Sequence, residues 1–290
     1  MSLAAARVRG RGELVRLVPV QSRLMLTRVE GGVQFFVRSP LVYFDHCALR
    51  CISSDPARRD HLRETFRTRG TLMFSVLNML EMAQNRGDSY ESIRLMLDDL
   101  DRYWLPSDLD SETVSQRERQ GVRPPAVFLV PVEMLSGIIQ ALPLGTYSLG
   151  AALAKPHDAE FRSRAPELLQ RSASLLAEFQ RQRQLRQRGE KLVPLKDPKF
   201  SVSWIQTSLL RLLIRDGKEV DGNDMNDVMH ASVSLRYADV VVLDKAWADI
   251  AGRLKLPDTR IFRCTKAGLA DALSSIRTID ISNCKVTAPP

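Results

Sequence analysis

The clearest periodic signal lies between Val220 and Leu254. After the polar turn VDGND, the residues Val228, Met229, Ala231, Val233 and Leu235 keep helical spacing, and Asn223 or Asp224 is placed to cap the helix. VVVL, residues 240–243, is an unbroken β-branched run of the kind that forms a parallel strand buried on both faces. It stops at Asp244, and Trp247, Ile250, Ala251 and Leu254 then open another apolar helical face. LVYF, residues 41–44, repeats the arrangement near the front of the chain and stops at Asp45. TLMF, residues 71–74, predicts a third strand, with Ser75 as N-cap of the helix VLNMLEMAQ. On that helix Val76, Leu77, Met79, Leu80 and Ala83 form the apolar face, whereas Ser75, Asn78 and Glu81 follow at three-residue spacing on another.

Between these elements, RLMLTRVEGGVQFFVR predicts a hairpin turning at Gly31-Gly32. Short helices are expected over His46–Cys51 and Asp60–Arg69, and a long polar one from Asp158 to Lys191 with a break at Pro166. SVSWIQTSLLRLLIRDGKEV predicts an apolar helix, TRIFRC a last strand and GLADALSSIRTI a closing helix. The acidic clusters DDLDRYW and SDLDSE, within residues 85–125, read as solvated and without chemistry. Strands alternating with helices at both ends predict an α/β fold with a central, mainly parallel sheet. The expected division is a basic arm and hairpin over 1–40, the sheet domain over 41–84 and 217–290, and a helical insertion or subdomain over 85–216.

Charge adds a class of partner. The net charge of +8 suits a polyanion, and the segment from Met1 to Arg28 holds six arginines against one glutamate. A second basic run, Arg181, Arg183, Arg186 and Arg188, lies on the long polar helix, where it is either a solvated face or a phosphate contact. The four cysteines, Cys47, Cys51, Cys264 and Cys284, form no CxxC pair and are expected as free thiols. The most apolar stretch, from Ala126, is interrupted by Pro131, Glu133 and Pro143 and predicts buried elements rather than a membrane span. With no secretory pattern at the front, a cytoplasmic protein without membrane contact is expected.

The chain contains no GxxxxGK loop, no GxSxG and no HExxH, so the chemistry those motifs carry is not indicated. Aspartates at strand ends are what the pattern offers. In open α/β sheets ligands bind in the crevice beyond the carboxyl ends of the strands. Asp45 and Asp244 are expected as neighbours on that edge, with Asp224 and Asp227 at the mouth of a nearby helix. Carboxylates converging on one cleft repel one another unless a cation or protons intervene, and oxygen-only ligands suit Mg²⁺ or Mn²⁺. Each also has a plain role, Asp224 as a cap and Asp227 as a favourable charge in a first helical turn. His230, one turn past Asp227, reads as a core histidine or as an assistant to the acids.

The order and context of these acids resemble the PIN-domain family of metal-dependent ribonucleases. The resemblance lies in LVYFD, FSVLNMLE, NDMNDVMHA and YADVVVLDK. It implies a PIN-like three-layer fold with Asp45, Glu81, Asp227 and Asp244 as the catalytic and metal-binding set around Mg²⁺ or Mn²⁺. Asp224 would be a further ligand, and Asp239, which starts its strand, would be structural. By the same resemblance the chain would cleave single-stranded RNA, and the basic run Arg181, Arg183, Arg186 and Arg188 would by its charge hold the backbone. A toxin role with an antitoxin or other protein partner, and a homodimer, are compatible with it. Two alternatives stay open: a catalytically inactive PIN-like module that binds RNA or protein, and a DNA-directed nuclease. The resemblance covers residues 41–83 and 220–278. The long gap between Glu81 and Asp227, and Val242-Leu243 where a Thr or Ser is usual, depart from it.

Overall fold

The computed structural model describes residues 14–15, 24–29, 32–75, 78, 88–100, 103–129, 159–192 and 194–285. A small antiparallel sheet comes first, with strands β1 (Leu14–Val15), β2 (Leu24–Val29) and β3 (Gly32–Val37) in that order. The hairpin is present, and Gly32 pairs with Val29, so Gly32 belongs to the second strand and not to the turn.

Next come β4 (Leu41–Phe44), α1 (His46–Ser53), α2 (Pro56–Thr68), β5 (Thr71–Ser75), α3 (Asp88–Asp99), β6 (Trp104–Ser107) and α4 (Ser111–Arg119). The long helix α5 (Ala159–Gln187) and α6 (Val202–Arg215) follow, then α7 (Gly222–Tyr237), β7 (Val240–Leu243), α8 (Lys245–Gly252), β8 (Arg260–Arg263) and α9 (Lys266–Thr278). β4 to β8 form one sheet in the order β6-β5-β4-β7-β8, with every pairing parallel. Helices cover both faces, giving the expected three-layer α/β fold.

The alternation of side chains along each strand divides the interior into two cores. Val42, Phe44, Leu72, Phe74, Val240 and Val242 face α1, α2, α3 and α9, whereas Leu41, Tyr43, Met73, Leu105, Val241 and Leu243 face α4 to α8. This is why LVYF and VVVL are apolar throughout: every residue of β4 and β7 is buried. Each fully buried side chain of this size contributes roughly 1.5–3 kcal/mol. Gly70, at a φ of 106°, turns the chain from α2 into β5, and a Cβ there would come within 3.1 Å of Ile276.

Asp239 ties the opposite, amino-terminal edge of the sheet. Its Oδ2 accepts from the Leu41 N–H at 2.7 Å and its Oδ1 from that of Lys285 at 2.9 Å. Its own N–H donates to Leu41 O at 2.8 Å. It is structural, as its place at the start of the strand predicts.

Three expectations about local structure change. The region 85–125 is not simply solvated: Trp104–Ser107 of the stretch read as a helical insertion is an edge strand of the parallel sheet, and Leu109, Asp110 and Ser111 are buried. Helix α5 runs through Pro166 without a break. Neither Asn223 nor Asp224 caps α7. Asp221 does, accepting from the N–H groups of Asn223 and Asp224, while Asp224 Oδ2 accepts from the Asp221 N–H at 2.9 Å in a reciprocal capping box. Of the apolar stretch from Ala126, the structure describes Ala126–Leu129, where Val127, Phe128 and Leu129 are buried. Among the described residues, no helix is long and apolar enough to cross a membrane.

Candidate active site

The carboxyl edge of the sheet is where the aspartates meet. Parallel register sets Phe44 opposite Val242, and the Asp45 N–H donates to Val242 O at 3.0 Å. Asp45 and Asp244 therefore leave neighbouring strands about 4.8 Å apart, one residue out of step. Each then starts a helix. Asp45 Oδ1 accepts from the His46 N–H at 2.7 Å, and Asp244 Oδ1 accepts from the Trp247 N–H at 2.8 Å. The second oxygen of Asp45 takes a weak thiol bond, from Cys47 Sγ at 3.5 Å.

Burial pushes the Asp45 carboxyl above its ordinary range, and repulsion from Asp244 pushes in the same direction. Hydrogen bonds from His46 and Cys47 and the nearby His230 ring oppose the rise. Two partly buried carboxylates within electrostatic reach of one another are an arrangement that a cation relieves.

Helix α7 brings the third acid. Asp227 Oδ2 accepts from the Trp247 indole N–H at 3.0 Å, so α7 and α8 are pinned together beside Asp244. One turn further on, His230 is 2% exposed, with its Nδ1 at 3.4 Å from the Tyr43 hydroxyl of β4. Burial holds its pKa down, at about 4. It is a neutral core histidine below the carboxylates. Asp224 stands one turn before Asp227 and is engaged in the capping box. Glu81 lies outside the described residues.

The chemistry of this donor set, carboxylate oxygens at strand ends, fits a hard divalent cation such as Mg²⁺ or Mn²⁺. Among the described residues, however, no group of three or more His, Cys, Asp or Glu side chains is arranged to hold a metal ion. Asp45 and Asp244 come together, with Asp227 held alongside by Trp247.

The edge carries further acids at β6. Asp108 pairs with Arg117 at 3.3 Å. Asp110 caps α4 and forms an ion pair with Arg171 of α5. Burial raises the Asp108 carboxyl, while Arg117 and Arg171 hold it down. The signal was present in the sequence, since WLPS followed by Asp repeats the strand-then-aspartate pattern of Asp45 and Asp244. The surrounding charges concealed it.

The arginine run sits elsewhere on α5. At about 1.5 Å per residue, Arg181 stands roughly 15 Å along the helix beyond Arg171, and Arg188 further still. Arg181 is exposed and pairs with Glu178 at 2.6 Å. Arg183 and Arg186 share that end of the helix, and Arg188 follows its last residue. A cavity of about 250 Å³ lined by Pro124, Phe200, Arg236, Tyr237 and Lys285 lies at the far end of α7, away from the carboxylates.

Comparison with protein families, curated proteins and solved structures gives no match for this chain.

Proposed function

We propose that the protein is a metal-dependent endoribonuclease of PIN-like type, acting at the carboxyl edge of its parallel sheet. One observation carries the reading: Asp45 and Asp244 end adjacent parallel strands within electrostatic reach of one another. In this reading Asp45, Asp227 and Asp244 would hold a Mg²⁺ or Mn²⁺ ion, with Asp224 next in line, and Glu81 would position the ion or its bound water. A bound divalent ion supplies Lewis-acid polarisation of the phosphate and a water ionised at neutral pH. The chain's own part is to fix the acids. Trp247 holds Asp227 and Asp244 through its indole and backbone N–H groups. His230, held neutral by burial, acts as a packing and orienting group beneath Asp45 rather than as a proton donor at neutral pH. Exposed arginines on α5, together with those between Met1 and Arg28, would attract the RNA backbone.

A second reading is favoured by a different observation: Asp45 and Asp244 are both N-caps, a job that explains them without any metal. An inactive module binding RNA through its basic surface is the consequence. Cleavage of a mixed single-stranded RNA, with and without Mn²⁺, separates the two. Asp244→Asn is the informative variant, because Asn caps a helix about as well as Asp and removes only the charge. Mn²⁺-dependent cleavage lost in the variant supports the nuclease. Equal RNA binding by both proteins, with no cleavage by either, supports the module. A matched single-stranded DNA in the same assay tests the DNA-directed alternative.

A further inference from the structure

Three of the four cysteines converge beside the aspartates, although Cys47 and Cys264 come from opposite ends of the chain. Cys47 is the second residue of α1, and its thiol donates to Asp45 Oδ2 at 3.5 Å. Cys264 follows β8 directly, and its N–H donates to Leu243 O at 2.7 Å, which sets it beside the end of β7 and hence beside Asp244. The thiols of Cys47 and Cys264 lie within electrostatic reach of one another, packed on the same core beside that strand end. Cys51, one turn along α1, also reaches Cys264, but its sulfur accepts from the Arg58 guanidinium at 2.9 Å. All three are partly exposed and pack on the core under α1, α2 and α9. Cys284 is buried elsewhere, with its thiol 3.6 Å from Asp280 O.

We propose that Cys47 and Cys264 form a redox-active pair whose disulfide closes over the Asp45–Asp244 edge. The step needs a two-electron oxidant, and a peroxide serves. One thiol takes an oxygen atom from the peroxide, giving a sulfenic acid and water. The other sulfur attacks it and displaces the hydroxyl group as a second water. Two thiols and one peroxide thus become one disulfide and two waters. Cys47 and Cys264 are the pair because their thiols neighbour one another on the same core, whereas Arg58 holds Cys51. The bond removes the thiol donor from Asp45 and ties the first turn of α1 to the β8–α9 junction, across the strand end at Asp244.

That this blocks a divalent ion at the edge rests on the nuclease reading, but formation of the bond does not. The test is made on the full chain, reduced and then treated with hydrogen peroxide, followed by non-reducing peptide mapping. The expected result is one linked peptide pair joining Cys47 to Cys264, lighter by two hydrogens, released by dithiothreitol and absent from Cys264→Ser. A link from Cys51 to Cys264, a link between chains, or isolated thiol oxidation with no link overturns the proposal. The wild-type map alone decides this if the variant fails to fold. In parallel, Mn²⁺-dependent RNA cleavage by the wild type is expected to be lost on oxidation and recovered on reduction. Reduced protein that cleaves nothing counts against the nuclease reading and leaves the peptide map to judge the disulfide.

Discussion

The Trp247 indole N–H donates to Asp227 Oδ2 at 3.0 Å, and the backbone N–H of the same residue donates to Asp244 Oδ1 at 2.8 Å. One tryptophan thereby sets the spacing of two carboxylates that come from different helices. The residue is 5% exposed, so the indole is held by the core while its polar edge reaches the acids.

Trp247→Phe keeps most of the ring and removes the donor to Asp227. A hydrogen bond to a charged group contributes about 1.5–3 kcal/mol, so urea unfolding should show a loss of about that size. Divalent-dependent cleavage should fall with it, because Asp227 loses its anchor. Unchanged stability together with unchanged cleavage would remove the indole from any role at the site.

Asp45→Asn should stabilise the protein at neutral pH. Burial and Asp244 raise the folded-state pKa of Asp45 above its ordinary 3.8, so the ionised group costs stability above that folded pKa. As pH falls through the folded pKa towards 3.8, the wild type gains a proton that the variant never needed. The gap in unfolding free energy between the two should therefore close in that window. Asn keeps the cap on α1. A variant less stable than wild type at pH 7 contradicts this account.

His230 works in the opposite sense. Its pKa falls on folding from an ordinary 6.5 to about 4, because burial excludes the charged ring. The stability linked to this is present above pH 6.5 and is lost as pH drops from there to about 4, amounting to about 3 kcal/mol. Replacing His230 with Gln should flatten that part of the stability–pH curve, measured by denaturant unfolding at several pH values. A slope that survives the substitution assigns it to other groups.

Arg171→Ala should be more damaging than any change in the arginine run. It leaves Asp110, 3% exposed, without its partly exposed cationic partner, and a buried acceptor that loses a donor costs about 1–3 kcal/mol. Thermal or urea unfolding measures it, and a loss within the range of ordinary surface changes would show that the cap on α4 alone satisfies Asp110.

Changing Arg181, Arg183, Arg186 and Arg188 together to Gln should leave stability nearly unaltered, since all but the half-buried Arg183 are exposed. If they hold an RNA backbone, affinity should fall. The slope of log affinity against log salt should also shrink by about 0.7 for each phosphate no longer held. An unchanged slope places the RNA path elsewhere on the molecule.

The strands buried on both faces were legible in the chain alone. LVYF and VVVL cannot satisfy an amphipathic pattern and can only be central in a covered parallel sheet, so Asp45 and Asp244 could be read as strand-end residues. Asp239 was legible as structural for the same reason, from its place before the strand. That Asp45 and Asp244 are neighbours was an expectation from the repeated pattern, and only the sheet order makes it so. The order β6-β5-β4-β7-β8 is a consequence of packing helices on both faces, which no local pattern encodes. Asp110 looked solvated among its charged neighbours, and only the fold buries it against the partly exposed Arg171 of a distant helix. Trp247 read as one more apolar helix position, because the direction of its indole N–H is set only when α7 lies beside α8. The Cys47–Cys264 pair was invisible in spacing, since a separation spanning most of the chain is closed only by the sheet. Local composition decides what a segment must bury, whereas the meeting of distant polar groups is decided by the fold that buries it.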